Sequence, residues 1–170
     1  PVTFVEDTAV PPERLYEYIQ RFAELLAAEG VEQVGYNAHA SVGLLHVRPV
    51  LNLKSQVDVG RMRRIAERVA ALVAEFGGTT SGEHGDGIAR SEWLERLYGP
   101  KLIQAFRKIK QAFDPQSILN PGKIVDPLPM DRHLRYGGGF QFQQPPTVLD
   151  FSEPGGLGGL AGRCTGIGQC

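Results

Sequence analysis

Apolar residues recur along this chain with helical spacing in several stretches and with strand-like alternation in others. Leu15, Tyr18, Ile19, Phe22, Leu25 and Leu26 form one stripe at intervals of three and four, opened by Pro11-Pro12 and closed by Gly30. Proline is tolerated in a first helical turn and glycine ends one, so the span is predicted to be a helix. Met62, Ile65, Val69, Leu72, Val73 and Phe76 repeat the pattern from about residue 57 to 76, before Gly77-Gly78. Ser91 is placed to cap a short helix through Trp93 and Leu97. Leu102, Phe106, Ile109 and Phe113 then mark one face of another helix, with Lys101, Arg107, Lys108 and Lys110 on its solvated side. That helix stops before Asp114-Pro115, because a residue preceding proline avoids the α region. Residues 3–6, 31–38 and 44–51 read as strands, Pro49 favouring an edge, a bulge or a strand end. The order predicts an α+β fold, an antiparallel sheet with helices packed on one face. A three-stranded sheet is thin, and its open edge invites self-association into a homo-oligomer.

From Asp126 onward the periodicity fails. Pro127, Pro129, Gly137-Gly138-Gly139, Pro145-Pro146 and the glycines between 155 and 162 give a Gly/Pro-rich tail that reads as a linker over 126–163, with His133 exposed in it. With 170 residues, 42% hydrophobic and 22% charged, the chain is long enough for one domain with a real core. Its net charge of −1 gives no bulk electrostatic argument for nucleic acid or an anionic membrane. No apolar run is long enough to cross a bilayer and no signal peptide is seen. The first residue is not Met and the last is Cys170, so the chain reads as a piece of a longer polypeptide. Both cysteines, Cys164 and Cys170, fall in the last seven residues. That suits a reducing, cytoplasmic compartment better than a disulfide framework.

The candidate chemistry is concentrated in two short segments. His39 and His46 flank a glycine-containing loop, and Glu83-His84 sits in the small-residue run Ser81-Gly82-Glu83-His84-Gly85-Asp86-Gly87. Divalent metals take imidazole nitrogens and carboxylate oxygens, and catalytic sites often combine two His with one Glu. A hairpin would bring His39 and His46 together. Leu44, His46 and Arg48 alternate with Leu45 and Val47, which puts His46 and Arg48 on one face. A guanidinium there suits a carboxylate. The same His/His/Glu set would also serve a stand-alone metal hydrolase, and the thin sheet with its tail would serve a non-catalytic interaction module.

The run from Val5 to Glu13, the segment from His39 to Pro49, Ser81 to Gly85, and Asn120-Pro121-Gly122-Lys123 occur in this order in a known family. Over about residues 3 to 125 the chain resembles the C-terminal, ferredoxin-like cap domain of FAD-linked oxidases of the vanillyl-alcohol-oxidase type. That group includes D-2-hydroxyglutarate, D-lactate and glycolate dehydrogenases. The end of the chain, Cys164-Thr165-Gly166-Ile167-Gly168-Gln169-Cys170, resembles the junction in fusion proteins where an iron–sulfur region follows the flavin part. The organisation implied is cap domain over 1–125, linker over 126–163 and the start of a truncated iron–sulfur region over 164–170.

The resemblance implies further roles. His39, His46 and Glu83 would bind zinc or manganese, His84 would be the catalytic base, Arg48 would contact the 2-hydroxyacid substrate, and Asn120 with Lys123 would approach the flavin. The full-length protein would be an FAD-dependent dehydrogenase, with D-2-hydroxyglutarate favoured over D-lactate and glycolate, passing electrons through [4Fe–4S] clusters to a downstream acceptor. Two departures stand out. Ser41-Val42-Gly43-Leu44 replaces the Gly-Asp-x-Asn of many relatives, and Ile167 stands where a C-x2-C-x2-C run would carry a cysteine. A [4Fe–4S] cluster normally takes four thiolates, so Cys164 and Cys170 should not assemble one alone. The FAD pyrophosphate-binding domain has no counterpart in the chain, so these 170 residues are expected to be inactive by themselves.

Overall fold

The computed structural model describes residues 2–153, 155–164 and 168. They form two units, 1–138 and 139–170. The first contains β1 (Thr8–Ala9), α1 (Leu15–Ala28), β2 (Val34–His39), β3 (Leu44–Pro49), α2 (Gln56–Glu75), α3 (Gly87–Arg90) and α4 (Leu94–Phe113). The sheet is antiparallel in the order β1-β3-β2. Leu45 and Val47 of β3 point into a core shared with Tyr18, Phe22 and Leu26 of α1 and with Ile65, Val69 and Val73 of α2. The helices therefore cover one face, as the apolar stripes predict. Tyr18 meets the rings of Phe22 and Phe76 edge-on at 5.7 and 5.3 Å. Each fully buried side chain of this size contributes about 1.5–3 kcal/mol.

Three details differ from the sequence reading. The first strand is Thr8–Ala9 rather than 3–6. Phe4 and Val5 both enter the core and Glu6 and Asp7 are both buried, so residues 4–7 do not alternate. Ladder pairing begins only at Thr8, opposite Leu45, and Ala9 then meets Leu44 on one side and Thr79 on the other. The two helices expected after Ser91 are parts of α4, which breaks at Gly99 (φ 76°, ψ 162°) immediately before Pro100. Finally, Met130 is buried in the core of the first unit and Leu134 packs against it.

In the second unit, Gly156–Gly162 form α5 within the stretch that composition reads as linker. Its glycines have a packing use: a Cβ on Gly158 would lie 2.4 Å from the Phe142 ring. The amide of Gly158 also donates to Gln144 at 3.3 Å. Cys164 is exposed just beyond this helix, and Cys170 lies outside the described residues. Among the described residues no helix is long and apolar enough to cross a membrane.

Candidate metal and substrate site

The sheet face away from the helices carries Gly35, Asn37 and His39 on β2 opposite Arg48, His46 and Leu44 on β3. The turn between the strands depends on one residue. Gly43 has φ +71°, and a Cβ there would lie 1.8 Å from the Val10 carbonyl oxygen. Only glycine fits. The Val10 amide donates to the Gly43 carbonyl at 3.0 Å, fastening the hairpin tip to the end of β1.

The Ser81–Gly87 segment is laid across this face by a buried acid that the sequence reading does not single out. Asp7 is fully buried. Its carboxylate accepts the Ser81 hydroxyl at 2.5 Å and the amides of Glu83 and His84 at 3.1 and 2.7 Å. Burial alone would raise its pKa, but these donors and the nearby His84 outweigh burial and hold it below the ordinary value. Gly82 lets the segment lie close, since a Cβ there would meet Leu44 Cδ1 at 2.5 Å. Asp86, four residues beyond Gly82, has its pKa raised by burial, with Arg90 and Thr80 opposing.

Three imidazoles converge on one carboxylate oxygen. Glu83 Oε1 lies 3.2 Å from His46 Nε2, 3.2 Å from His84 Nε2 and 3.7 Å from His39 Nε2. The His46 and His84 rings stack with centroids 4.9 Å apart, and His39 meets His46 edge-on at 5.3 Å. Ligand atoms of Asp7, His46, Glu83 and His84 all lie within 4.8 Å of one another. His39 stands outside that tight set, at the exposed rim. The three donors to Asp7 converge on its Oδ2, and the carboxylate oxygen closest to the imidazole Nε2 atoms is Glu83 Oε1.

The donor chemistry fits a divalent cation. His46 Nδ1 lies 2.7 Å from the Glu6 carbonyl oxygen, which only accepts, so Nδ1 carries the hydrogen. The neutral ring then turns the lone pair of Nε2 toward a carboxylate oxygen at 3.2 Å. Two acceptors facing each other repel unless a cation sits between them or the ring takes a second proton. A mixed imidazole and carboxylate set suits zinc or manganese.

The other sequence-predicted residues fall in different places. Arg48 is exposed, two residues beyond His46 on the same sheet face. Asn120 and Lys123 lie in the turn after α4, where Lys123 Nζ donates to Asn120 Oδ1 at 3.3 Å. They line a largely apolar groove of about 610 Å³ with Phe106, Ile109, Phe113 and Ile124. This turn is tethered toward the histidines: the Ile124 amide donates to Ser91 Oγ at 2.9 Å, and Ser91 Oγ donates to the Gly87 carbonyl. Besides Asp7, the sequence reading gives no role to Glu6 or Arg90. The available signal was two consecutive acids inside the apolar run from Val2 to Val10, since buried carboxylates must find partners.

Comparison with known proteins gives a consistent picture. The family model for the C-terminal domain of FAD-linked oxidases matches residues 1–124. The chain is 47% identical over 128 residues to the D-2-hydroxyglutarate dehydrogenase of Pseudomonas putida, covering 75% of this chain and 12% of that protein. It is 44% identical over 131 residues to the D-2-hydroxyglutarate dehydrogenase of Escherichia coli, covering 77% and 13%. To the D-lactate dehydrogenase of Archaeoglobus fulgidus it is 37% identical over 124 residues, covering 73% and 27%. The chain thus spans about an eighth of the length of these D-2-hydroxyglutarate dehydrogenases.

Proposed function

The chain belongs to the family of FAD-linked oxidase C-terminal domains, and from that premise we propose that it is the metal- and substrate-holding part of an FAD-dependent oxidoreductase acting on D-2-hydroxyacids. The observation carrying this reading is the approach of three imidazole nitrogens to Glu83 Oε1. His39, His46 and Glu83 would hold zinc or manganese. When bound, the cation supplies a Lewis acid for the substrate's hydroxyl and carboxylate, and FAD supplies the hydride acceptor.

The rest is asked of this chain's own side chains. His84 Nε2, aimed at the same point, takes the hydroxyl proton as the α-hydrogen leaves. Arg48 sits two residues along from His46, about 7 Å away by strand geometry, a span suited to the far carboxylate of a short diacid. That favours D-2-hydroxyglutarate over D-lactate and glycolate, and relatives bearing the first name are 44–47% identical. Asn120 and Lys123 would face the flavin from the groove beside α4. In the full-length cytoplasmic protein, electrons continue through [4Fe–4S] clusters, with Cys164 and Cys170 near their start, to a downstream acceptor. The 170-residue chain by itself turns nothing over.

The test is to load the full-length parent with FAD and metal and screen D-2-hydroxyglutarate, D-lactate and glycolate with an artificial electron acceptor. D-2-hydroxyglutarate is expected to be oxidised fastest. Absence of dye reduction with all three would overturn the reading.

A further inference from the structure

Glu6 touches both central imidazoles in two different ways. Its backbone carbonyl oxygen lies 2.7 Å from His46 Nδ1. Its carboxylate oxygen Oε1 lies 3.4 Å from His84 Nδ1. Glu6 is buried, only 5% exposed, and so is the Arg90 beside it. Arg90 Nη1 donates to that same Oε1 at 3.0 Å, while Nε and Nη2 donate to the Gly85 carbonyl at 3.0 and 2.5 Å. Arg90 thus fastens the residue after His84 to the acid that faces the His84 ring.

We propose that Glu6 is the positioning residue that fixes the hydrogen of both rings on Nδ1, leaving Nε2 of His46 and of His84 bare toward Glu83. Arg90 Nη1 donates to Oε1, which marks that oxygen as an acceptor, so the ring nitrogen facing it donates. Either task available to His84, binding a cation or receiving a proton, requires an unprotonated Nε2. Groups behind a metal-site imidazole commonly set its tautomer and orientation in this way. A single residue does so for two rings, one through the main chain and one through the side chain. That separates the two effects by mutation. In Glu6→Ala the His46 contact persists, because the carbonyl remains, whereas His84 Nδ1 loses its nearer acceptor and keeps only Asp7 Oδ1, at 3.9 Å. Glu6→Gln keeps an oxygen that can accept from both Arg90 and His84.

The experiment is long-range proton–nitrogen NMR of the histidine side chains in the full 170-residue chain, without metal, combined with zinc affinity by chelator competition. The wild type is expected to show His46 and His84 both protonated at Nδ1. Glu6→Ala should move His84 alone to the Nε2-protonated form while zinc binding by His39, His46 and Glu83 changes little, because the Glu6 carbonyl still holds His46 Nδ1. Glu6→Gln should restore the Nδ1-protonated form of His84. The double variant Glu6→Ala/Arg90→Ala, which leaves no unpaired buried guanidinium, replaces Glu6→Ala if that variant does not fold. A wild-type His84 protonated at Nε2, or a folded variant lacking the carboxylate in which His84 stays protonated at Nδ1, would overturn the proposal. The zinc role rests on the metal-site reading above. A chain that binds no zinc but shows the expected tautomers would sink that reading and leave the positioning role standing.

Discussion

Asp7 and His84, 77 residues apart, are joined by a 2.7 Å hydrogen bond from the His84 amide to the Asp7 carboxylate. The bond fixes the backbone of the candidate base, while the other Asp7 oxygen, Oδ1, lies 3.9 Å from its ring Nδ1. With the Ser81 hydroxyl and the Glu83 amide on the same carboxylate, it makes Asp7 the support of the whole Ser81–Gly87 segment.

Removing that support should be costly. Asp7→Ala leaves three donors without their acceptor in a buried place, and a loss of about 3 kcal/mol is expected. Denaturant unfolding reads the loss. Zinc competition on the folded fraction should show weaker binding, because Glu83 is no longer held. An Asp7→Ala chain as stable as wild type would refute the assignment.

The ligand set predicts an order of effects. His46 is buried between Glu6 and Glu83, whereas His39 stands at the exposed rim, 3.7 Å from Glu83. His46→Ala is expected to cost at least about 3 kcal/mol of metal binding, roughly 100-fold in Kd, and His39→Ala less. Calorimetric titration with zinc and with manganese measures both. Equal, negligible losses would argue against a metal centre here.

Arg48 should discriminate between substrates. In the full-length enzyme, Arg48→Ala is expected to raise KM for D-2-hydroxyglutarate about 10- to 100-fold, the value of a lost charge-assisted hydrogen bond of about 1.5–3 kcal/mol. D-Lactate has no second carboxylate, so its KM should be unmoved. Steady-state kinetics on the two substrates gives the answer, and a parallel rise for both would place Arg48 elsewhere in the mechanism.

A stability prediction comes from the seam between α1 and α2. Glu29, at the end of α1, accepts from Arg64 Nε at 3.1 Å and Arg68 Nη1 at 2.8 Å on α2. Burial works to raise its pKa, but the two guanidinium groups prevail and hold it below the ordinary 4.5. A lowered folded pKa means that the pairing stabilises above the unfolded value and is lost as pH falls through the folded one. Both arginines are about half exposed, so Glu29→Gln should cost only on the order of 1 kcal/mol at neutral pH. Thermal melts should show that gap closing below pH 4.5.

What the sequence could reveal follows from which signals are periodic. The stripes of α1 and α2 and the alternation of β3 repeat over many residues, so they set the layer architecture and put His46 and Arg48 on one face. Glu6, Asp7 and Arg90 carry no such repetition. The carboxylate contacts among them and with Ser81–His84 span 74 to 84 positions, which only the folded chain brings about. Residues 3–6 misled for a related reason. Apolar residues followed by acids resemble a strand end, but here the acids turn inward because Arg90 and the Ser81–Gly87 amides await them. The helix in the tail was hidden by its glycines, which local propensity counts against and which Phe142 exploits by packing on Gly158.

The tip at Gly43 makes the hairpin intolerant of changes in length. His39 pairs with Leu44 and Asn37 with His46, and side chains in a strand change face at every step. One residue inserted into the paired strand between the two histidines would swing His46 in among the helices and bring an aliphatic side chain, Leu45 or Val47, out beside Glu83. Natural variants of this domain should therefore differ in the letters of the hairpin but not in their number.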